Sequence, residues 1–177
     1  MKKILPLAAA FALAATSATA DGTLAETINA GGALSYATTT VAGSEFDLDL
    51  HGGIYAIDSV FVGGDLMLRD NEAITEWELT ALGRFHFADP ILTDEGGAIS
   101  SFSPYVGLRI GYASGDVAKD ESGAVFALRL GFDFFLTDNV AIDVYADASA
   151  ATADVYADKS KMESTQIRLH VGIDLFF

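Results

Sequence analysis

Cysteine is missing altogether from the 177 residues. Its absence excludes disulfides and thiolate metal sites, and it excludes lipoprotein processing, which needs a cysteine at the cleavage point. Long apolar runs are missing too. After residue 20 no stretch approaches the roughly 18 residues a membrane-spanning helix requires. Positive charge is scarce: ten Lys and Arg stand against 25 Asp and Glu, a net charge of −15. Such a surface repels nucleic acid, whose binding depends on basic side chains neutralising phosphates. No Walker loop, dinucleotide fingerprint or Cys/His cluster occurs, so no cofactor is expected and no metal site is signalled.

The N-terminus has the form of a secretory signal. Lys2 and Lys3 give a basic start, Ile4 to Ala15 an apolar stretch, and Ala18-Thr19-Ala20 a small-residue cleavage site. Residues 1–20 are therefore expected to be a signal peptide and residues 21–177 a single barrel domain. Losing Lys2 and Lys3 takes the net charge of the mature chain to −17.

From Asn29 onward apolar and polar residues alternate in eight segments, a period of two that gives each strand one apolar and one polar face. The segments are Asn29–Thr38, Ser44–Ile57, Ser59–Arg69, Thr75–Phe87, Phe102–Ala113, Gly123–Leu136, Val140–Ala151 and Glu163–Phe177. Most exceed the roughly 9–11 residues of a tilted membrane-spanning strand. The connections alternate between tight turns at Asp58 and Thr137-Asp138-Asn139 and mostly longer polar loops. Ala88–Ser101 is the exception, a long connection among the short turns. Two readings of the alternation compete. A soluble lipocalin-like barrel buries its apolar face, whereas a membrane barrel turns that face to lipid. Three features favour the membrane. Gly53, Gly63, Gly107, Gly111, Gly131 and Gly172 thin the polar face, as a crowded lumen requires. Aromatics on the apolar face collect near both strand ends, Phe85, Phe87, Phe102, Phe132, Phe134 and Phe177 at one and Phe46, Trp77 and Tyr112 at the other, as in the girdles that meet lipid headgroups. The remaining lysines, Lys119, Lys159 and Lys161, all fall in expected loops. The expected fold is all-β: an eight-stranded antiparallel up-and-down transmembrane β-barrel with tilted strands and a polar interior. Its first strand must pair with its last, because an open edge in hydrocarbon leaves backbone groups unbonded.

The run Ser103-Pro104-Tyr105-Val106-Gly107-Leu108-Arg109-Ile110-Gly111-Tyr112 resembles the Pro-Tyr-x-Gly-x-x-x-Gly-Tyr strand of small OmpA-like and OmpX-like outer-membrane barrels. The final strand, ending in Phe177, is similar to the signal that the outer-membrane assembly machinery reads. The resemblance implies a location in a Gram-negative outer membrane, contact with its lipids and lipopolysaccharide, and a monomer without a wide channel. It implies roles between membrane anchoring and adhesion. No peptidoglycan-binding domain is expected after the last strand.

The inward register collects the charges. Arg69, Arg84, Arg109, Arg129 and Arg168 fall there, with His51, His86 and His170 and with Asp47, Asp49, Asp65, Glu76, Glu78, Asp133, Asp143, Asp147 and Asp174. An unpaired charge in a narrow lumen is costly, so these groups are expected to pair, Arg engaging carboxylates through its planar fork. Reflecting strands about Asp138 sets Arg129 opposite Asp147 and Asp133 opposite Asp143, and reflecting about Asp58 sets His51 opposite Asp65. Asp147 is thereby the expected counter-ion whose removal leaves Arg129 uncompensated. The network is read first as a structural plug in a barrel with a structural or surface-interaction role. A small gated, cation-preferring pore is the alternative, because nine acids outnumber five arginines. A lipid A-modifying enzyme is third: no Ser lies two residues from any of the three His on the same face, and the chain is expected not to be an enzyme. Asp116, Asp120, Glu121, Asp154 and Asp158 are read as solvated loop residues, since they lack the spacing of a calcium loop.

Overall fold

The computed structural model describes residues 26–39, 43–71, 75–87, 101–115, 122–158 and 161–177. Among them the alternating segments become β1 (Ile28–Thr39), β2 (Gly43–Ile57), β3 (Val60–Asn71), β4 (Thr75–His86), β5 (Ser101–Gly115), β6 (Ser122–Thr137), β7 (Val140–Ala151) and β10 (Thr165–Phe176). Each pairs antiparallel with its neighbour and β10 closes on β1, giving an eight-stranded barrel. The seam sets Asn29 opposite Phe176. It is extended by Ile28 and Phe177, which exchange backbone hydrogen bonds of 3.0 and 2.8 Å. Among the described residues the barrel sheet has no open edge, which is the condition for spanning a bilayer with sheet.

Both short connections are two-residue turns, Asp58-Ser59 and Asp138-Asn139. Each is preceded by a one-residue register shift: Tyr55 faces Phe61 but Ile57 faces Val60, and Phe135 faces Ala141 but Thr137 faces Val140. Those bulges keep the ladders symmetric about residues 58 and 138 although the turns themselves hold two residues. Arg129 accordingly faces Asp147, Asp133 faces Asp143 and His51 faces Asp65.

The last loop departs from expectation. Where a polar connection was expected over Thr152–Met162, the chain forms a small antiparallel hairpin of β8 (Tyr156–Asp158) and β9 (Lys161–Glu163). Lys161 is thus in a strand, though not one of the barrel's. Strands of three residues carry too little alternation to be recognised. At the base of the hairpin Val155 is buried against Ala113 and Val125, so the chain folds inward over the rim between β5, β6 and β7. The signal segment, residues 88–100 of the long turn-side connection, Lys119, Lys159, Asp116, Asp120 and Glu121 lie outside the described residues, and Asp154 is exposed.

Outside the barrel the apolar face is bare: Leu108 is 68% exposed, Ile167 81% and Leu128 43%. The girdle aromatics Phe46, Trp77, Phe85, Phe87, Phe102, Tyr112 and Phe132 are exposed there as well, and Phe134 and Phe177 lie on the same face. Phe102 stacks on Phe132 with centroids 5.2 Å apart, and Trp77 lies 6.0 Å from Tyr112. An apolar belt of this extent fails in water and is satisfied by lipid. Replacing Leu128 by Arg should cost about 2–4 kcal/mol of folding stability in lipid vesicles, measured by denaturant unfolding. A spin label at the adjacent Arg129 position should report a polar, enclosed setting.

Candidate functional site

The polar face folds inward into a lumen that side chains of an eight-stranded barrel can just fill. All nine acids and all three His of the inward register are buried, as are Arg69, Arg84, Arg109 and Arg129, while the Arg168 side chain keeps 14% of its surface. They form three tiers.

At the turn end the floor is apolar rather than charged. Tyr55, Phe61, Leu82, Phe135, Ala141 and Phe176 make one buried cluster, with Phe135 and Phe176 rings 5.1 Å apart. Sequence reasoning missed it. The signal was present in the doublets Phe134-Phe135 and Phe176-Phe177, since adjacent strand residues face opposite ways and one of each pair must enter the lumen. The Tyr55 hydroxyl lies 3.0 Å from His86 Nε2, and His86 Nδ1 lies 2.9 Å from the Ser103 hydroxyl.

Arg84 lies above this floor, its guanidinium 4.3 Å over the Phe61 ring. It donates to Asp174 (3.0 Å) and to the Asn29 side-chain oxygen (2.7 Å), and approaches Asp143 at 3.6 Å. His51 Nε2 meets the other oxygen of Asp174 at 2.8 Å, and the Tyr105 hydroxyl donates to Asp143 at 2.8 Å. Asp133 is buried with neither oxygen hydrogen-bonded, its nearest basic group being His86 Nδ1 at 3.8 Å. The middle tier joins two arginines. Arg129 donates to Asp147 (2.8 Å), Asp49 (2.7 Å) and Asp65 (2.9 Å), while Arg109 donates to Asp65 (2.7 Å), Asp147 (2.9 Å), Glu78 (3.1 Å) and Thr80 (3.2 Å). The Tyr145 ring lies 3.9 Å beneath the Arg129 guanidinium and its hydroxyl donates to Asp49. His170 stacks on Tyr145 at 4.7 Å, and neither of its ring nitrogens has a hydrogen-bond partner among the described residues. Gly107, opposite Arg84 on one side and Arg129 on the other, leaves the room these two stems need. At the loop end Arg69 and Arg168 share Asp47. Arg69 also bonds Glu76, and both bond Gln166.

One expectation needs correcting. Arg129 and Asp147 do pair, but Asp147 is not the sole counter-ion, because Asp49 and Asp65 reach the same guanidinium across the lumen. Likewise His51 faces Asp65 along the ladder yet bonds Asp174. Register gives neighbours on the wall, whereas long side chains choose partners across the lumen. No Ser stands two residues from a His on the same face, but Ser103 reaches His86 from the adjacent strand. That pair has the reach of a nucleophile and its base, but Ser103 and His86 are enclosed above the aromatic floor and present no surface to a substrate.

No protein-family model matches the chain, and neither does any curated protein. Solved structures share its fold. Neisserial surface protein A is 18% identical over 85% of this chain and 96% of its own, with a TM-score of 0.57. The outer membrane protein OprG of Pseudomonas aeruginosa is 14% identical over 88% and 98%, with a TM-score of 0.52. Ail, the attachment invasion locus protein of Yersinia pestis, is 16% identical over 86% and 99%, with a TM-score of 0.45. With its closed sheet and bare apolar belt, the chain has the fold of the small eight-stranded outer-membrane β-barrels.

Because Asp147 serves two arginines that keep other partners, Asp147→Ala should destabilise the barrel by only about 1–3 kcal/mol. The double variant Asp147→Ala, Arg129→Leu should be less stable than the single one, since Asp49 and Asp65 then also lose a cation. Denaturant unfolding in detergent micelles measures both.

Proposed function

We propose that the protein, exported by residues 1–20, is an outer-membrane barrel with a structural or surface-interaction role, its interior a plug and not a conduit. The observation that supports this is the state of three arginines. The side chains of Arg84, Arg109 and Arg129 have no solvent-accessible surface. A passage wide enough for water alongside them would expose them. The aromatic floor closes the lumen below and Val155 folds over part of the rim above. Buried charges of this kind cost several kcal/mol each to desolvate, and the hydrogen bonds of Arg84, Arg109 and Arg129 offset that cost, which supports reading the network as a filling. The C-terminal strand is the segment offered to the assembly machinery, and the β8–β9 hairpin is the feature held out on the loop side.

A second reading, the small cation-preferring pore, is favoured by one feature. Arg109 and Arg129 share Asp65 and Asp147, so partners can be exchanged without leaving a charge bare. Planar-bilayer recording of the purified protein separates the two. The plug predicts no unit conductance above the bare membrane at ordinary voltages. Discrete, cation-selective steps would overturn it in favour of the pore. A lipid A-modifying activity would instead appear as altered lipid A masses in cells that make the protein.

A further inference from the structure

Nine acids and five arginines are not spread evenly. Two arginines meet two carboxylates at the loop end and two others meet four in the middle tier, whereas three carboxylates, Asp133, Asp143 and Asp174, gather around the one arginine Arg84. Asp133 has no hydrogen bond to either oxygen although it is buried. Such a group is paid for by something that answers it.

We propose that His51, Asp143 and Asp174 form a binding site for a divalent transition-metal ion, Zn²⁺ in the first instance, inside the turn-side half of the barrel. One donor atom from each lies within 4.8 Å of the others, and all three residues are buried. They come from β2, β7 and β10, so no sequence spacing announces them. Zinc bonds of about 2.0–2.2 Å set donor atoms roughly 3.4 Å apart in a tetrahedral site. The 2.8 Å contact of His51 Nε2 with Asp174 Oδ1 therefore has to open slightly and Asp143 to draw in.

Three further features suit a metal. First, the wall beneath the site is bare: a Cβ on Gly31 would fall 2.0 Å from Asp174 Oδ1 and 2.5 Å from His51 Nε2. The missing side chain is what gives the two donors their place. Second, the remaining donor atoms are held from behind. Asp174 Oδ2 accepts from Arg84 and Asn29, and Asp143 accepts from Tyr105. Third, His51 Nδ1 points toward Asp49 Oδ1 at 3.8 Å, and both atoms are buried without a hydrogen bond. A small rotation of the ring closes that contact and produces the carboxylate–histidine–metal relay typical of bound zinc. A ring nitrogen among few protein ligands selects zinc-like ions over Mg²⁺ and Ca²⁺, which prefer larger all-oxygen shells. The site stands whether or not the barrel conducts, and its test does not involve conductance.

The protein is unfolded with a chelator, refolded into detergent micelles with Zn²⁺ or Mg²⁺, desalted, and its metal content measured by atomic emission on the heat-modifiable folded form. Wild type should retain about one Zn²⁺ per chain and no Mg²⁺. His51→Gln and Asp143→Asn should each lower retained Zn²⁺ by about tenfold or more, while His170→Gln, at the buried histidine of β10, should retain it. No retained Zn²⁺ in wild type, or equal retention in His51→Gln and Asp143→Asn, would overturn the site. Should either variant not fold, Co²⁺ in the wild-type protein decides: intense tetrahedral visible bands support the site, and a pale octahedral spectrum overturns it.

Discussion

Everything inside this barrel follows from a closed eight-stranded sheet whose narrow interior is lined by buried charge. Eight strands close the sheet, so among the described residues the barrel wall has no open edge. Closure leaves the inward side chains only one another for partners. That is why each interior arginine has several acceptors: Arg129 bonds three carboxylates and Arg109 bonds three carboxylates and a hydroxyl. Arginine suits this work better than lysine because its donors are fixed in a plane and can serve partners on different strands at once.

The tiers differ in what they achieve. The loop-end tier, balanced in charge, keeps some solvent contact through Arg168. The middle tier binds strands across the lumen through shared carboxylates. The turn end abandons charge and closes with rings, where Tyr55 passes from apolar packing to polar bonding through its hydroxyl. Carboxylates match the arginines two to two at the loop end, but outnumber them four to two in the middle tier and three to one around Arg84.

Much of this was legible before any coordinates. The period of two located the eight strands and, through parity, the face of each residue, because one residue of slip would have turned every charge toward lipid. Reflection about Asp58 and Asp138 gave the ladder neighbours, including Arg129 with Asp147. What could not be read was the choice of partner across the lumen. Arg84 with Asp174, or Arg129 with Asp49, depends on strand tilt and side-chain reach, and neither leaves a trace in spacing. The aromatic floor was readable but overshadowed, since attention to outward rings at Phe134 and Phe177 hid their inward neighbours Phe135 and Phe176. Ser103 beside His86 escaped for a related reason: a search along one strand does not see the strand next to it.

The central claim is that the arginines bond to carboxylates in a lumen closed to water. The direct test is solvent exchange of the arginine side-chain Nε–H protons, followed by NMR on the folded protein in lipid nanodiscs. Arg129 Nε donates to Asp147 and Arg109 Nε to Thr80, both out of reach of solvent, whereas Arg168 sits near the open rim. The account predicts strong protection for Arg109 and Arg129 and little for Arg168. Exchange of all of them at the rate of free arginine would mean a water-filled lumen and would contradict it.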